Sequence, residues 1–142
     1  MATSLTFTGA LLASASFLVS SSQTTPIVIA QGGDNGSRIY SIAVQTNSTT
    51  AANHVLGLSS SIGIARLGTL AVTANSGHTA GTAIFDYFGN ALYAGVFQKQ
   101  KDANGVPYYN LPPNTFLTMQ TSASVFLSSG TTSSIFVNGE FY

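Results

Sequence analysis

The sequence predicts an all-β protein, a sandwich or barrel of about eight to ten short strands, and three observations carry that reading. No window keeps apolar residues at i, i+3, i+4 and i+7 long enough to form an amphipathic helix. Short runs with a two-residue period recur instead, bounded by Gly, Asn, Ser or Pro. The stretch from Gly32 to Leu58 shows the pattern most fully. It holds a glycine-rich loop, a strand from Arg38 to Thr46, the polar turn Asn47-Ser48-Thr49-Thr50, and a second strand entering at Ala52. In the first strand Tyr40, Ile42 and Val44 fall on one face, and Ser41, Ala43 and Gln45 on the other. The unit reads as a β-hairpin or as a corner between two sheets.

At 142 residues the chain is one domain long and can bury a single core. Charged residues make up 6% of it, against roughly 25% in an ordinary domain. Hydroxyls replace them: 19 Ser and 17 Thr. Surface charge keeps a monomer soluble and unassociated. A chain of zero net charge with so few ionic groups suits surfaces covered by neighbours, so a homo-oligomer is expected. Disorder shares the hydroxyl richness, but 11% aromatic residues and a mean hydropathy of +0.30 oppose it. Four Lys plus Arg are too few for a nucleic-acid surface. With no Cys, disulfides and thiolate metal sites are excluded.

Met1 to Ser22 carries the apolar runs Ala10-Leu11-Leu12-Ala13 and Phe17-Leu18-Val19. It lacks the basic start of a secretory signal, and Ser14 and Ser16 interrupt it, so it reads as a retained segment. It is too short and polar to span a membrane as a helix, and no membrane partner is expected. An extended arm or an edge strand is the natural form, one able to pair with another chain. Leu11, Leu12, Phe17, Leu18 and Val19 are therefore candidate interface residues.

Pro26 opens the buried run Ile27-Val28-Ile29-Ala30, where it costs no interior ladder bond. The Gly32–Gly36 loop reads as a connection needing positive φ rather than as an anion nest or Ca²⁺ loop, having one carboxylate and no following helix. Ser59 to Asn75 holds one or two strands around Ile62, Ile64, Leu67, Leu70 and Val72, with Arg66 as an interface or buried ion-pair residue, or more commonly one on a solvated strand face. Asn75 to Thr82 reads as a flexible loop. Ala83-Ile84-Phe85 and Tyr87-Phe88 flank Asp86, and Ala91 to Phe97 is β-prone. Gln98 to Pro107, with an Asn104-Gly105 turn and two of the four cations, reads as the most exposed loop. Thr115 to Thr121 alternates, with Leu117 and Met119 facing one way. Ser124–Ser128 and Ser134–Val137 are the last clear strands.

Groups able to carry out chemistry are few. Only His54 and His78 could serve as general bases, and no Gly-x-Ser-x-Gly elbow occurs. Asp34, Asp86, Asp102 and Glu140 are scattered singly, and Asp86 with Glu140 is the only conceivable glycosidase pair. Two His without thiols make a poor Zn²⁺ site. No enzymatic activity and no cofactor are expected. Tyr87, Phe88, Tyr93, Tyr108 and Tyr109 could form a sugar-stacking platform, but core and interface are the commoner uses of such residues.

Four motifs carry a resemblance: Asn35 to Ile39 at a strand entry, Thr49 to Asn53 before the next strand, Leu111-Pro112 with Asn114 and Leu117 before a late strand, and Gly139 to Tyr142. In these the chain resembles a loosely defined family of small tailed-bacteriophage virion proteins, from Thr25 to Tyr142, departing from it at Ser59–Ser61. The resemblance implies a jelly-roll-like antiparallel β-sandwich over residues 25–142, preceded by an arm or edge strand over 1–24. It implies a structural protein of the virion, a head decoration or cement protein contacting the major capsid protein and sister subunits. A tail, neck or fibre-base subunit is the alternative, and a carbohydrate-binding module or adhesin is the alternative of another class. Arg66, Tyr87, Tyr93 and Tyr142 join the candidate interface residues.

Overall fold

The computed structural model describes residues 11–19, 25–90, 99–122 and 130–142. Those residues form no helix and ten strands: β1 (Leu11–Val19), β2 (Ile27–Gln31), β3 (Ser37–Thr46), β4 (Ala52–Ser60), β5 (Gly63–Val72), β6 (Phe85–Asp86), β7 (Gln100–Lys101), β8 (Pro107–Leu111), β9 (Phe116–Thr121) and β10 (Thr132–Phe141). One sheet runs β1-β10-β3-β8-β7 with β6 beside β3, and the other runs β2-β9-β4-β5. All pairings are antiparallel. The molecule is a β-sandwich. The steps β1 to β2, β2 to β3 and β3 to β4 each cross between sheets, as do β8 to β9 and β9 to β10, whereas β4 and β5 form a hairpin. Asn47–Thr50 is thus a corner, held by Ser48, whose amide donates to Thr46 Oγ1 (3.1 Å) and whose hydroxyl donates to the Thr50 carbonyl (2.8 Å).

Residues 11–19 are a strand of the sandwich, in register with β10 from Leu11↔Glu140 to Val19↔Thr132. The β1 strand lies at the sheet edge, and the Ser16 hydroxyl donates to the Val28 carbonyl of the facing sheet (3.3 Å).

Ile29, Ile39, Ile42, Leu56, Leu111, Leu117, Met119 and Ile135 fill the space between the sheets, each at most 1% exposed. Three bulges set which residues reach it. In β3, Asn138 pairs with Ser41 and Gly139 with Ile39, so Tyr40 is the extra residue. Ile39 and Ile42 therefore both face inward, and Tyr40 turns outward, not inward with Ile42 and Val44 as strict alternation predicts. Ile29 and Leu67 are the extra residues of β2 and β5.

The Asn75–Thr82 loop is anchored at its start. The Ser76 carbonyl accepts from the Thr46 amide (3.0 Å), the Ser48 carbonyl from the Asn75 amide (2.9 Å) and the Gly77 carbonyl from Gln45 Nε2 (3.0 Å). Gly33 and Gly36 take φ of 67° and 93°, the conformation expected of the 32–36 loop.

At the β7–β8 hairpin tip, Asp102 Oδ1 accepts from the amides of Asn104 (2.8 Å) and Val106 (2.9 Å). Ala103 to Val106 is exposed. A short tag inserted between Ala103 and Asn104 is expected to cost no more than about 1 kcal/mol in chemical denaturation. A larger loss would show that this tip supports the core.

Candidate functional site

The four strands β2, β9, β4 and β5 contain one charged residue, Arg66. Their inner face is core. Their outer face follows from the register. One row reads Val28, Thr118, Gly57, Arg66; a second reads Gln31, Phe116, Ser59, Ile64; a third reads Gln120, Val55, Thr69. Val28 is 54% exposed, Ile64 56% and Phe116 38%, while Ile62 projects from the β4–β5 turn at 96%. Val55 and Thr118, in the middle of this face, are only 5% and 4% exposed, so its open apolar side chains lie around them; so little charge is unusual on the outer side of a sheet.

A shallow hollow of about 210 Å³ opens on this face, lined by Pro26, Val55, Gly57, Ile64, Arg66, Thr118 and Gln120. Gly57 forms part of its floor. A Cβ there would stand 2.7 Å from Thr118 Oγ1 and 3.1 Å from Ile64 Cγ2. The missing side chain leaves the Arg66 side chain an uncharged recess to border.

The opposite sheet differs. Its outer face gathers Arg38, Tyr40, Tyr108, Glu140 and Tyr142 from β3, β8, β10 and the residue after β10. The Arg38 guanidinium lies over the Tyr108 ring (4.8 Å to the centroid) and over the Tyr142 ring (5.2 Å), and its Nε donates to the Tyr142 hydroxyl (3.0 Å). Hydrogen bonding to Tyr142, and then to Tyr40, holds the Arg38 pKa above its ordinary value. The Tyr40 hydroxyl donates to Glu140 Oε1 (2.8 Å), and burial pushes its pKa up. The Tyr40 and Tyr108 rings lie 6.0 Å apart, and the Tyr108 hydroxyl donates to Gln100 Oε1 (3.0 Å).

The residues that sequence reasoning proposed for an interface scatter. Arg66 lines the hollow and Tyr142 is 48% exposed in the cluster. Leu11, Leu12, Phe17, Leu18 and Val19 lie on the edge strand β1. Tyr93 lies outside the described residues. Tyr87 moves from interface to core: it is 1% exposed, its hydroxyl donates to the His54 carbonyl (2.7 Å), and its ring packs edge-on to Phe85. Phe88 is likewise buried, with Lys99 Nζ 4.4 Å from its ring centroid. Of the five aromatics suggested for a sugar platform, Tyr87 and Phe88 are core, Tyr109 packs against it, and Tyr108 joins the outer cluster.

The two histidines separate by environment. His78 is an exposed loop residue. His54 is fully buried. Its Nδ1–H donates to the Ala52 carbonyl (3.0 Å), which fixes the tautomer, and its Nε2 accepts from the Ser133 hydroxyl (2.9 Å). The Asp86 carboxylate accepts from the Gly89 amide (2.8 Å), a turn contact. Among the described residues no three metal-ligating side chains cluster, and no helix is long and apolar enough to cross a membrane. The chain matches no family model, no curated protein and no solved structure.

Proposed function

We propose that the chain is a structural protein of a tailed-bacteriophage particle, a head decoration subunit that docks through the outer face of the β2-β9-β4-β5 sheet. The observation that carries this reading is that face: four adjacent strands with one charge, exposed Val28, Ile64 and Phe116, and a recess beside Arg66. The four strands hold 30 residues, and at about 3.3 Å along and 4.8 Å across for each they present roughly 500 Å². That is of the order of the ~800 Å² each partner contributes to a standard interface. The occupant is the capsid shell, whose matching surface is apolar and hydroxyl-rich with a carboxylate opposite Arg66. Binding there removes the apolar side chains from water and lets Arg66 pair where solvent no longer screens it.

Two further features support the reading. The order β1-β10-β3-β8 facing β2-β9-β4-β5 supports a jelly-roll reading of the sandwich, an architecture shared by viral capsid domains, lectins and cupins. Fold alone does not choose among those; the uncharged face is what favours the capsid reading. The motifs at Asn35–Ile39, Thr49–Asn53, Leu111–Leu117 and Gly139–Tyr142 point to the same class.

The test is occupancy. Purified particles should carry the protein by quantitative immunoblot, with label on the head in electron micrographs, and the isolated chain should rebind stripped particles. Changing Ile64→Asp together with Arg66→Glu should lower rebinding at least about tenfold, a loss of one desolvated anchor pair, with no change in thermal melting. Absence from particles, or full rebinding by the doubly altered chain, would overturn the proposal.

A further inference from the structure

The outer face of the other sheet carries a different chemistry, and we infer that it is a binding site for an uncharged glycan, built from Arg38, Tyr40, Asn110, Glu140 and Tyr142. The register places these groups. Arg38 pairs with Asn110 on one side and with Glu140 on the other. Directly opposed residues share a face with their Cβ atoms about 5 Å apart. An amide, a guanidinium and a carboxylate thus stand in one row across β8, β3 and β10. Asn138 and the bulged Tyr40 stand beside that row, and the half-exposed Tyr142 ring borders it.

Two properties distinguish this row from a solvated strand face. The first is rigidity. Arg38 is held between two tyrosine rings and by its Nε bond to Tyr142, and Tyr40 is held by Glu140. A ligand that meets these groups immobilises little that was mobile before, so less binding free energy is lost to ordering. The second is unspent hydrogen-bonding capacity. Among the described residues the Asn110 amide makes no hydrogen bond, Glu140 makes one, to Tyr40, and Asn138 makes one, through Nδ2 to Ser41 Oγ (3.2 Å). Acceptors at Glu140 and Asn138, with both donor and acceptor at Asn110, match a ligand that carries many hydroxyls, each able to donate and accept. The exposed Tyr142 ring gives the apolar side of a sugar ring a surface to cover.

Charge selects among such ligands. Arg38 and Glu140 sit side by side and cancel, and the bulge that turns Tyr40 outward supplies the hydroxyl that occupies Glu140 Oε1. An anionic sugar would gain Arg38 only by approaching Glu140. A neutral hexose meets no such opposition. The site lies on the face opposite the proposed docking sheet, so it remains open on an assembled particle, and it stands or falls independently of that assembly.

The experiment uses the full chain on an array of glucose-, galactose- and mannose-terminated oligosaccharides, with sialylated and uronate-terminated glycans and an extended neutral peptide as comparison arms. Binding to at least one neutral class is expected. It should weaken at least tenfold in Tyr142→Ala and at least fivefold in Asn110→Ala, and remain unchanged in Arg66→Glu on the other sheet. Asn110 is exposed and makes no side-chain hydrogen bond among the described residues, so its variant reports on binding even if Tyr142→Ala loosens the fold. Circular dichroism verifies each variant. Four outcomes would overturn the inference: no binding to neutral glycans, binding that follows negative charge, preference for the peptide, or neutral binding that Asn110→Ala leaves intact.

Discussion

Replacing Gly139 by alanine is expected to destabilise the protein by about 3 kcal/mol, the upper part of the range for overpacking, and to lower the melting temperature by roughly 10 °C. Gly139 follows the register break between β10 and β3, opposite Ile39. There the two backbones approach so closely that an added Cβ would overlap the Arg38 carbonyl oxygen, with the Arg38 carbonyl carbon at 3.1 Å and Ile39 Cα at 3.2 Å. All three atoms are main chain, so no rotamer change relieves the clash. Either β10 moves away from β3, or the bulge is lost and Tyr40 competes with Ile39 for the core. Chemical denaturation should show the loss, and Asn138→Ala, one residue earlier on an exposed position, should stay within about 0.5 kcal/mol. Equal stability of Gly139→Ala and the parent would show that β10 is not held by this contact. The same variant should disturb the Arg38 cluster, because Arg38 and Glu140 are placed by the register that Gly139 permits.

That bulge also marks where sequence reading stops. Alternation along Ser41 to Thr46 was legible because it is a property of one strand: Ile42, Val44 and Thr46 are buried, while Ser41, Ala43 and Gln45 are only partly so. Tyr40 was placed on the wrong face because a bulge belongs to a pair of strands, and its signal, Gly139, lies far along the chain. The turn at Asn47–Thr50 was legible from its hydroxyl side chains, which satisfy it locally; that it is a corner and not a hairpin follows only from the sheet order. The sheet order was not, since β10 between β1 and β3 leaves no local trace. Tyr87, an interface candidate by sequence, is core for a reason that its neighbours in the chain do not show. Its hydroxyl finds the His54 carbonyl inside the sandwich, which removes the cost of burying it.

The candidate surfaces divide in the same way. Arg66 could be singled out because it is the one cation within a long uncharged stretch. The hollow beside it could not, because it depends on Gly57 in β4 meeting Thr118 in β9. Arg38, Tyr40 and Glu140 were passed over as separate residues of two strands. What makes them a unit is the pairing of β3 with β10 and β8, with both rings closing on one guanidinium.

Acidification is expected to remove about 3 kcal/mol of stability through His54 alone. Burial pushes the His54 pKa down from 6.5 to about 4, against the smaller opposing effect of its hydrogen bond to the Ala52 carbonyl. At roughly 1.4 kcal/mol per pKa unit, that gap sets the magnitude. The sign follows from where protons bind. Above pH 6.5 the ring is neutral in both folded and unfolded chains, and the full stability is present. Between 6.5 and about 4 the unfolded chain takes up a proton that the folded chain refuses, so stability falls as pH falls. Below about 4 both are protonated and this contribution no longer changes. The structural cost lies between the sheets: Nε2 in β4 accepts from Ser133 in β10, and a protonated ring could only donate there, leaving the Ser133 hydroxyl to find another acceptor in a fully buried site. Denaturation curves from pH 7 to 4 should give the parent chain a slope steeper than that of His54→Gln by up to about 1.4 kcal/mol per pH unit. Should the variant fail to fold, the imidazole resonances of the parent decide: His54 should stay neutral with its proton on Nδ1 at pH 5. A His54 that titrates near 6.5 in the folded protein would remove the argument.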